Sequence, residues 1–458
     1  MWKLRHLQLF VPVVLTLMLF ATSGCATRVW NKPVVSTDIT SGYDFHTHLP
    51  INSEETFVVL AFSGGGTRSA AFAYGVLEKL RDTKVTIDGR ERRLLDEVDV
   101  ITSVSGGSFT AAYYGLFGDR IFADFEKQFL KRDVQGELYK QLLNPFNIIE
   151  LASPEFNRSD LTARWLDREI FGHKTFGDMP RGKLPFIIIN ASDLNNGSTF
   201  SFIQQQFDFL CSSVSTYPVA NAVAASSAVP VAFATIALRN YESCPQRNVP
   251  WVDDALARDS PLERRYAVAR ALERYRHPER MPVVHLVDGG VTDNLGVRGS
   301  MMSPVAHYGN VSEMAGAFSR KQLTKVRNVL VIVANAQVYP EYDWSIGGSD
   351  PGIFGSVLAS FDAAMGILNT ETATLAKQGF LMWEQHINAL RPSTMPQVKV
   401  RFAPLIFNQI ADRRERAYFD ALPTSLSLDA EAVDAVRKLA GRLLDASPEF
   451  ARFVEALH

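Results

Sequence analysis

Cysteine is scarce: the 458-residue chain has three, so any disulfide framework is limited to one bridge unless chains pair. An excess of one charge sign is missing too. Lys and Arg number 47 against 49 Asp and Glu, a formal net charge of −2. That balance leaves no basic footprint and gives no support for nucleic-acid binding. Internal repeats, low-complexity tracts and metal-ligand spacings are absent. What is plentiful is Phe, with thirty, which suits an aromatic core or a surface that meets lipid. The length allows one large domain with insertions, or two domains.

The first 25 residues read as a targeting segment. Lys3, Arg5 and His6 precede an apolar stretch from Leu7 to Ala21, interrupted by Gln8 and Thr16, and Thr22-Ser23-Gly24-Cys25 follows. This resembles the lipobox of bacterial lipoproteins, in which the cysteine is acylated and becomes the mature N-terminus; Thr22 stands where such boxes usually carry Leu. An ordinary signal peptide and a short membrane anchor are the other readings, although the stretch is short for a span of about 20 residues. For a lipoprotein, Ala26 after Cys25 implies the outer membrane, facing the periplasm. In that oxidising setting Cys211 and Cys244 either form one disulfide around Ser226–Pro230 or stay as free thiols. Residues 26–54, polar with scattered Pro, Ser and Thr, read as a tether.

Thr56–Phe62 is a short apolar run stopped by glycine, and so a buried strand. Val98–Thr102, Pro185–Asn190, Val283–Val287 and Val329–Ala334 read likewise. Helical spacing lies between them, for example Ala73, Val76, Leu77 and Leu80. The alternation implies an α/β fold with a mostly parallel sheet. Residues 118–180 look largely helical, as an apolar cover or as inert packing. An Arg-rich amphipathic stretch over 258–280 reads as a solvated face, with lipid-headgroup contact as the other option. Residues 341–458 read as a helical extension packed on a unit spanning 55–340, ending in a helix buried through Val433, Val436, Ala440 and Leu443.

Two features carry chemistry. Ser103-Val104-Ser105-Gly106-Gly107 follows a strand and opens a helix, the setting of a nucleophile elbow that needs small neighbours. Gly64-Gly65-Gly66 follows another strand and can turn bare amides toward an oxyanion; a phosphate loop lacks its Gly-Lys ending here, and a plain tight turn is the remaining option. A serine hydroxyl needs a base. None of the nine histidines sits in a late strand-loop of the Ser…Asp…His order, whereas Asp288-Gly289-Gly290 directly follows a strand. A desolvated carboxylate there can accept the proton, although Asp-Gly-Gly is also a common turn.

With these blocks in order, the chain resembles the patatin-like phospholipases over roughly residues 55–335. The match runs through Ser63-Gly64-Gly65-Gly66-Thr67-Arg68, the elbow, Asn190-Ala191-Ser192-Asp193-Leu194 with Gly197, Ala225–Pro230, and Asp288-Gly289-Gly290. The resemblance implies a three-layer α/β/α sandwich and a catalytic Ser-Asp dyad of Ser105 and Asp288. It also implies an oxyanion loop of Gly64, Gly65, Gly66 and Arg68, no cofactor or metal, and membrane lipids as substrate. Ser63, Ser69 and Ser103 depart from the family pattern, the first two in how the loop is braced and the third in how tightly the elbow packs. Two other readings remain: a non-catalytic envelope lipoprotein on the same fold, and a Ser-His-Asp esterase.

Overall fold

The computed structural model describes residues 28–36, 42–44, 48–50, 52–153, 155–230, 232–244, 249–300, 325–339, 344, 347–348 and 350–457. The lipobox with Cys25 lies outside them.

The first core strand, β1 (Thr56–Phe62), is buried at all seven positions and leads through the glycine triplet into α1 (Gly66–Asp82). The unit repeats as β2 (Val98–Val104), also fully buried, and α2 (Gly106–Phe117). Helices α3 (Val134–Leu142), α4 (Pro145–Leu151) and α5 (Arg158–Leu166) follow before β3 (Phe186–Asp193) and β4 (Ser198–Ser201). Next come α6 (Val219–Ser226), β5 (Ile236–Arg239), α7 (Arg264–Tyr275) and β6 (Val283–Val287). The chain continues through β7 (Asn328–Asn335), α8 (Ile353–Leu390), β8 (Lys399–Ile406) and α9 (Ala430–Asp445).

Among the described residues the main sheet has eight strands, in the order β8-β7-β1-β2-β3-β6-β5, with β4 on β3. The first five are mutually parallel, and β4, β5 and β6 are antiparallel to their neighbours. Right-handed crossovers place α1 and α2 on one face, where they pack on each other and α9 packs on α1. The β7-α8-β8 crossover runs the other way along the sheet, which puts α8 on the opposite face. The result is a three-layer α/β/α sandwich.

Register brings the site together. Val104 at the end of β2 pairs with Asn190, and Val287 at the end of β6 pairs with Ser192. Because β6 runs against β3 and stops there, the residues after these two strands emerge on either side of Asn190–Ala191.

Three expectations need correction. The stretch 26–54 is no tether where it is described: Tyr43, His48 and Leu49 are buried, and the Tyr43 hydroxyl donates to the Ile187 carbonyl while accepting from its amide. Its polar composition hid side chains that satisfy core backbone. The extension 341–458 is not purely helical, and the sheet does not close at residue 340, since β8 pairs along all of β7. Lys399, Arg401 and Pro404 obscure that strand, yet at a sheet edge a proline costs no ladder bond. Strands β4 and β5, four residues each, were too short to announce themselves. No described helix, α8 included, is long and apolar enough to cross a membrane.

Candidate active site

Ser105 caps α2 with φ 49°, ψ −120°, a left-handed backbone that β-carbon-bearing residues rarely adopt. The turn is that sharp because strand and helix meet almost at contact. A Cβ on Gly106 would lie 2.1 Å from the Gly66 carbonyl oxygen, and one on Gly107 2.7 Å from Phe62 Cβ. The tip of the turn carries the hydroxyl, itself largely buried, and Ser105 Oγ donates to Asp288 Oδ2 at 2.8 Å.

Asp288 is almost fully buried, and its other oxygen accepts from the Gly290 amide at 2.8 Å. Burial pushes its carboxyl up to about 6, against the smaller opposing pull of the Gly290 and Ser105 hydrogen bonds. Helix α8 packs close by: a Cβ on Gly290 would come 3.1 Å from Met365 Sδ. A carboxylate in that position is a better proton acceptor than a free one. Among the described histidines, none bonds to Ser105 or Asp288. His285, three residues away in sequence, instead pairs its Nδ1 with Thr235 Oγ1.

The glycine loop divides into bound and unbound amides. Gly64 N–H is committed to the Asn294 carbonyl at 3.0 Å, which removes it from the expected oxyanion set. Gly65 and Gly66, with φ 138° and 61°, have amides without a hydrogen-bond partner among the described residues. The Gly66 nitrogen lies against the elbow, since a Cβ on Gly106 would meet it at 2.6 Å.

Arg68 is not free to meet an oxyanion either. Its Nε donates to the Ala336 carbonyl (2.9 Å), Nη1 to the Leu422 carbonyl (2.5 Å) and Nη2 to Thr424 Oγ1 (3.1 Å). Burial pulls its guanidinium down to about 10. It is a brace that ties the glycine loop to the end of β7 and to the C-terminal segment. The Thr67 amide adds a bond to the Ser425 carbonyl at 2.8 Å.

Ser226 was visible in the sequence only as part of a weaker block, and its role is structural support for both Ser105 and the Asp288 turn. Its Oγ accepts from the Ser105 amide (2.8 Å) and donates to the Asn190 carbonyl (2.6 Å). Its carbonyl accepts from Gly289 N–H, and the Ala228 carbonyl accepts from Asp288 N–H. Asn190 in turn donates to Thr102 Oγ1 and the Ser103 carbonyl. The segment lies inside a 33-residue loop closed by a Cys211–Cys244 disulfide, with Cα atoms 5.6 Å apart. A narrow apolar slot, lined by Phe109, Thr162, Leu166, Ala224, Phe233 and Leu426, lies one helical turn beyond Ser105. A larger cavity of about 330 Å³ opens at the other end of β2, beside Val98 and Tyr114.

The family model for patatin-like phospholipase matches residues 60–300, just over half of the chain. This chain belongs to the patatin-like phospholipase family. No curated protein matches the chain. Among solved structures it is similar to human GIVD cytosolic phospholipase A2, at 12% identity and a TM-score of 0.44, covering 88% of this chain and 62% of that one. The same human enzyme with methyl gamma-linolenyl fluorophosphonate and terbium chloride gives 15%, 0.40, 88% and 59%. VipD from Legionella pneumophila gives 12%, 0.28, 92% and 70%. The chain spans less than two thirds of the human enzyme in both comparisons.

Against the patatin-like pattern, the three serine departures each make a bond. Ser63 Oγ accepts from the Ala336 amide at 2.9 Å, Ser69 Oγ donates to the Ser63 carbonyl, and Ser103 Oγ donates to the Ile188 carbonyl at 3.2 Å. Hydroxyls thus fix the loop and the elbow where the family uses an acid and glycines.

Proposed function

We propose that this patatin-like protein is an acyl hydrolase of phospholipids or lysophospholipids, working through a Ser105-Asp288 dyad and an acyl-enzyme. The observation that carries this is the 2.8 Å hydrogen bond from Ser105 Oγ to the buried Asp288 carboxylate. Ser105 Oγ attacks the ester carbonyl as Asp288 takes its proton, and the amides of Gly65 and Gly66 receive the oxyanion. Collapse expels the alcohol, protonated by Asp288. Water then attacks the acyl-enzyme with Asp288 again as base, releasing fatty acid and restoring Ser105. Acylation of Cys25 and an outer-membrane, periplasm-facing location would hold the enzyme at its substrate. Two or more acyl chains anchor stably where one does not.

The test is labelling with a fluorophosphonate probe in wild type, Ser105→Ala and Asp288→Asn. Loss in both variants is expected; equal labelling of all three removes the dyad.

A further inference from the structure

Helix α4 is folded inside out. Its polar residues face the protein: Asn147 is 8% exposed, accepts from Arg164 Nη2 (3.0 Å) and donates to the Gln141 carbonyl (2.8 Å). Glu150 is bridged to Arg164 Nη1 at 2.7 Å. Its apolar residues face outward: Phe146 is 81% and Ile149 74% exposed, continued by Leu143 at 76% and by Tyr139 on α3. Phe146 and Ile149 share one face of α4, and Tyr139 and Leu143 lie one turn apart at the end of α3, so exposed apolar side chains run as a stripe along the chain on both sides of the extended Asn144 junction. A stripe with polar residues inward and large apolar ones outward signals a surface meant to be covered.

The N-terminal segment indicates by what. From Arg28 onward the chain is fastened to the body. Val29 bridges to Ala237, Trp30 Nε1 donates to Asp160 Oδ1 (3.2 Å), and Asn31 exchanges bonds with Arg239. Lys32–Pro33 pairs with Ser212–Ser213, and the Val34 amide donates to the Cys211 carbonyl. Only Ala26 and Thr27 lie between Cys25 and Arg28, and the three Cα steps reach at most about 10 Å. Acyl chains on Cys25 therefore fix both the distance and the facing of the molecule at a bilayer. Trp30 docks on Asp160 in the first turn of α5, and Arg164, four residues further along α5, holds α4. Four residues are about 6 Å of helix, so α4 is close beside the point of attachment.

We propose that the stripe Tyr139-Leu143-Phe146-Ile149 is a bilayer-docking surface, inserted among lipid headgroups while the short N-terminal link holds α4 against the membrane. This rests on the lipoprotein reading above. Insertion of an amphipathic face to about 5–10 Å matches the reach of the link. Within the Arg-rich stretch 258–280, Arg265 is tied to Asp254 and Asp259, and Arg276 to Asp253.

The test uses the full-length protein in vesicles of phosphatidylethanolamine and phosphatidylglycerol. With Cys25 acylated and Cys211 bonded to Cys244, Ile149→Cys offers a single thiol for a fluorophore, and Glu91→Cys, exposed in the two-stranded hairpin of Lys84–Ile87 with Arg90–Arg93, serves as control. Quenching by doxyl-labelled acyl chains is expected at 149 and absent at 91. Phe146→Ser/Ile149→Ser is expected to lower hydrolysis of bilayer phospholipid about tenfold or more while leaving a water-soluble short-chain ester unaffected. An unquenched label at 149, or bilayer turnover equal to wild type, overturns the proposal. Should both activities fall together, the quenching at 149 decides. The readings beneath it are judged separately: the mass of the Cys25 peptide reports the anchor, and loss of short-chain ester hydrolysis in Ser105→Ala reports the hydrolase.

Discussion

Replacing Asp288 with Asn should abolish activity and yet stabilise the protein, in a way that depends on pH. Burial raises this carboxyl from 3.8 to about 6, so the folded protein holds the proton more tightly than the unfolded chain. Its contribution to stability is full below about pH 4 and is lost as pH rises through about 6. At 1.36 kcal/mol per pH unit, the cost of carrying the ionised group above pH 6 is about 3 kcal/mol. An amide carries no charge to desolvate. Its oxygen can still accept from Gly290, and its NH₂ can donate to Ser105 Oγ in place of the present bond. Urea denaturation of both proteins across pH 3.5–8 should therefore show Asp288→Asn more stable by about 1–3 kcal/mol at pH 8, with the difference vanishing near pH 3.5. In wild type, kcat/KM for a soluble ester should rise with pH through a limb near 6, since only the carboxylate can take the Ser105 proton. A variant that is less stable at pH 8, or a stability gap independent of pH, would refute the claim that burial raises the base.

Other expectations follow from the same geometry. Ser105→Gly should exceed Ser105→Ala in stability by about 1 kcal/mol, because both lose the hydroxyl but only glycine accepts φ 49° without strain; thermal melts of the pair read it directly. Gly66→Ala should lose nearly all turnover, since its Cβ would come 2.2 Å from the Ser425 carbonyl at a φ of 61°; a near-wild-type rate would show that the loop has slack. Cys211→Ser/Cys244→Ser should cost about 3–4 kcal/mol from a 33-residue loop, measured by denaturation with and without reductant.

Much of the frame was legible because buried parallel strands announce themselves as continuous apolar runs, as Thr56–Phe62 and Val329–Ala334 do. The elbow and the Asp-Gly-Gly turn were legible because contact distances at Gly106, Gly107 and Gly289 exclude side chains, leaving glycine in the sequence as the mark. Roles within the loop were not. Gly64 and Arg68 look like oxyanion groups until one sees that Asn294, Ala336 and Leu422 already occupy their donors, and those partners lie far off in sequence. The edge strand β8 and the packed stretch around Tyr43 were missed for a related reason. Tyr43 bonds the backbone of Ile187, while Lys399 and Arg401 of β8 reach the Glu384 and Asn328 side chains, partners that no local pattern records.

The grip of Leu422 and Thr424 on Arg68, and of Ser425 on Thr67, has a consequence in time. A polypeptide made or translocated N-terminus first exposes its serine long before these clasping residues arrive. The loop beside Ser105 therefore gains its braces at Arg68 and Thr67 only once residues 422–425 are in place, long after the elbow itself has been made.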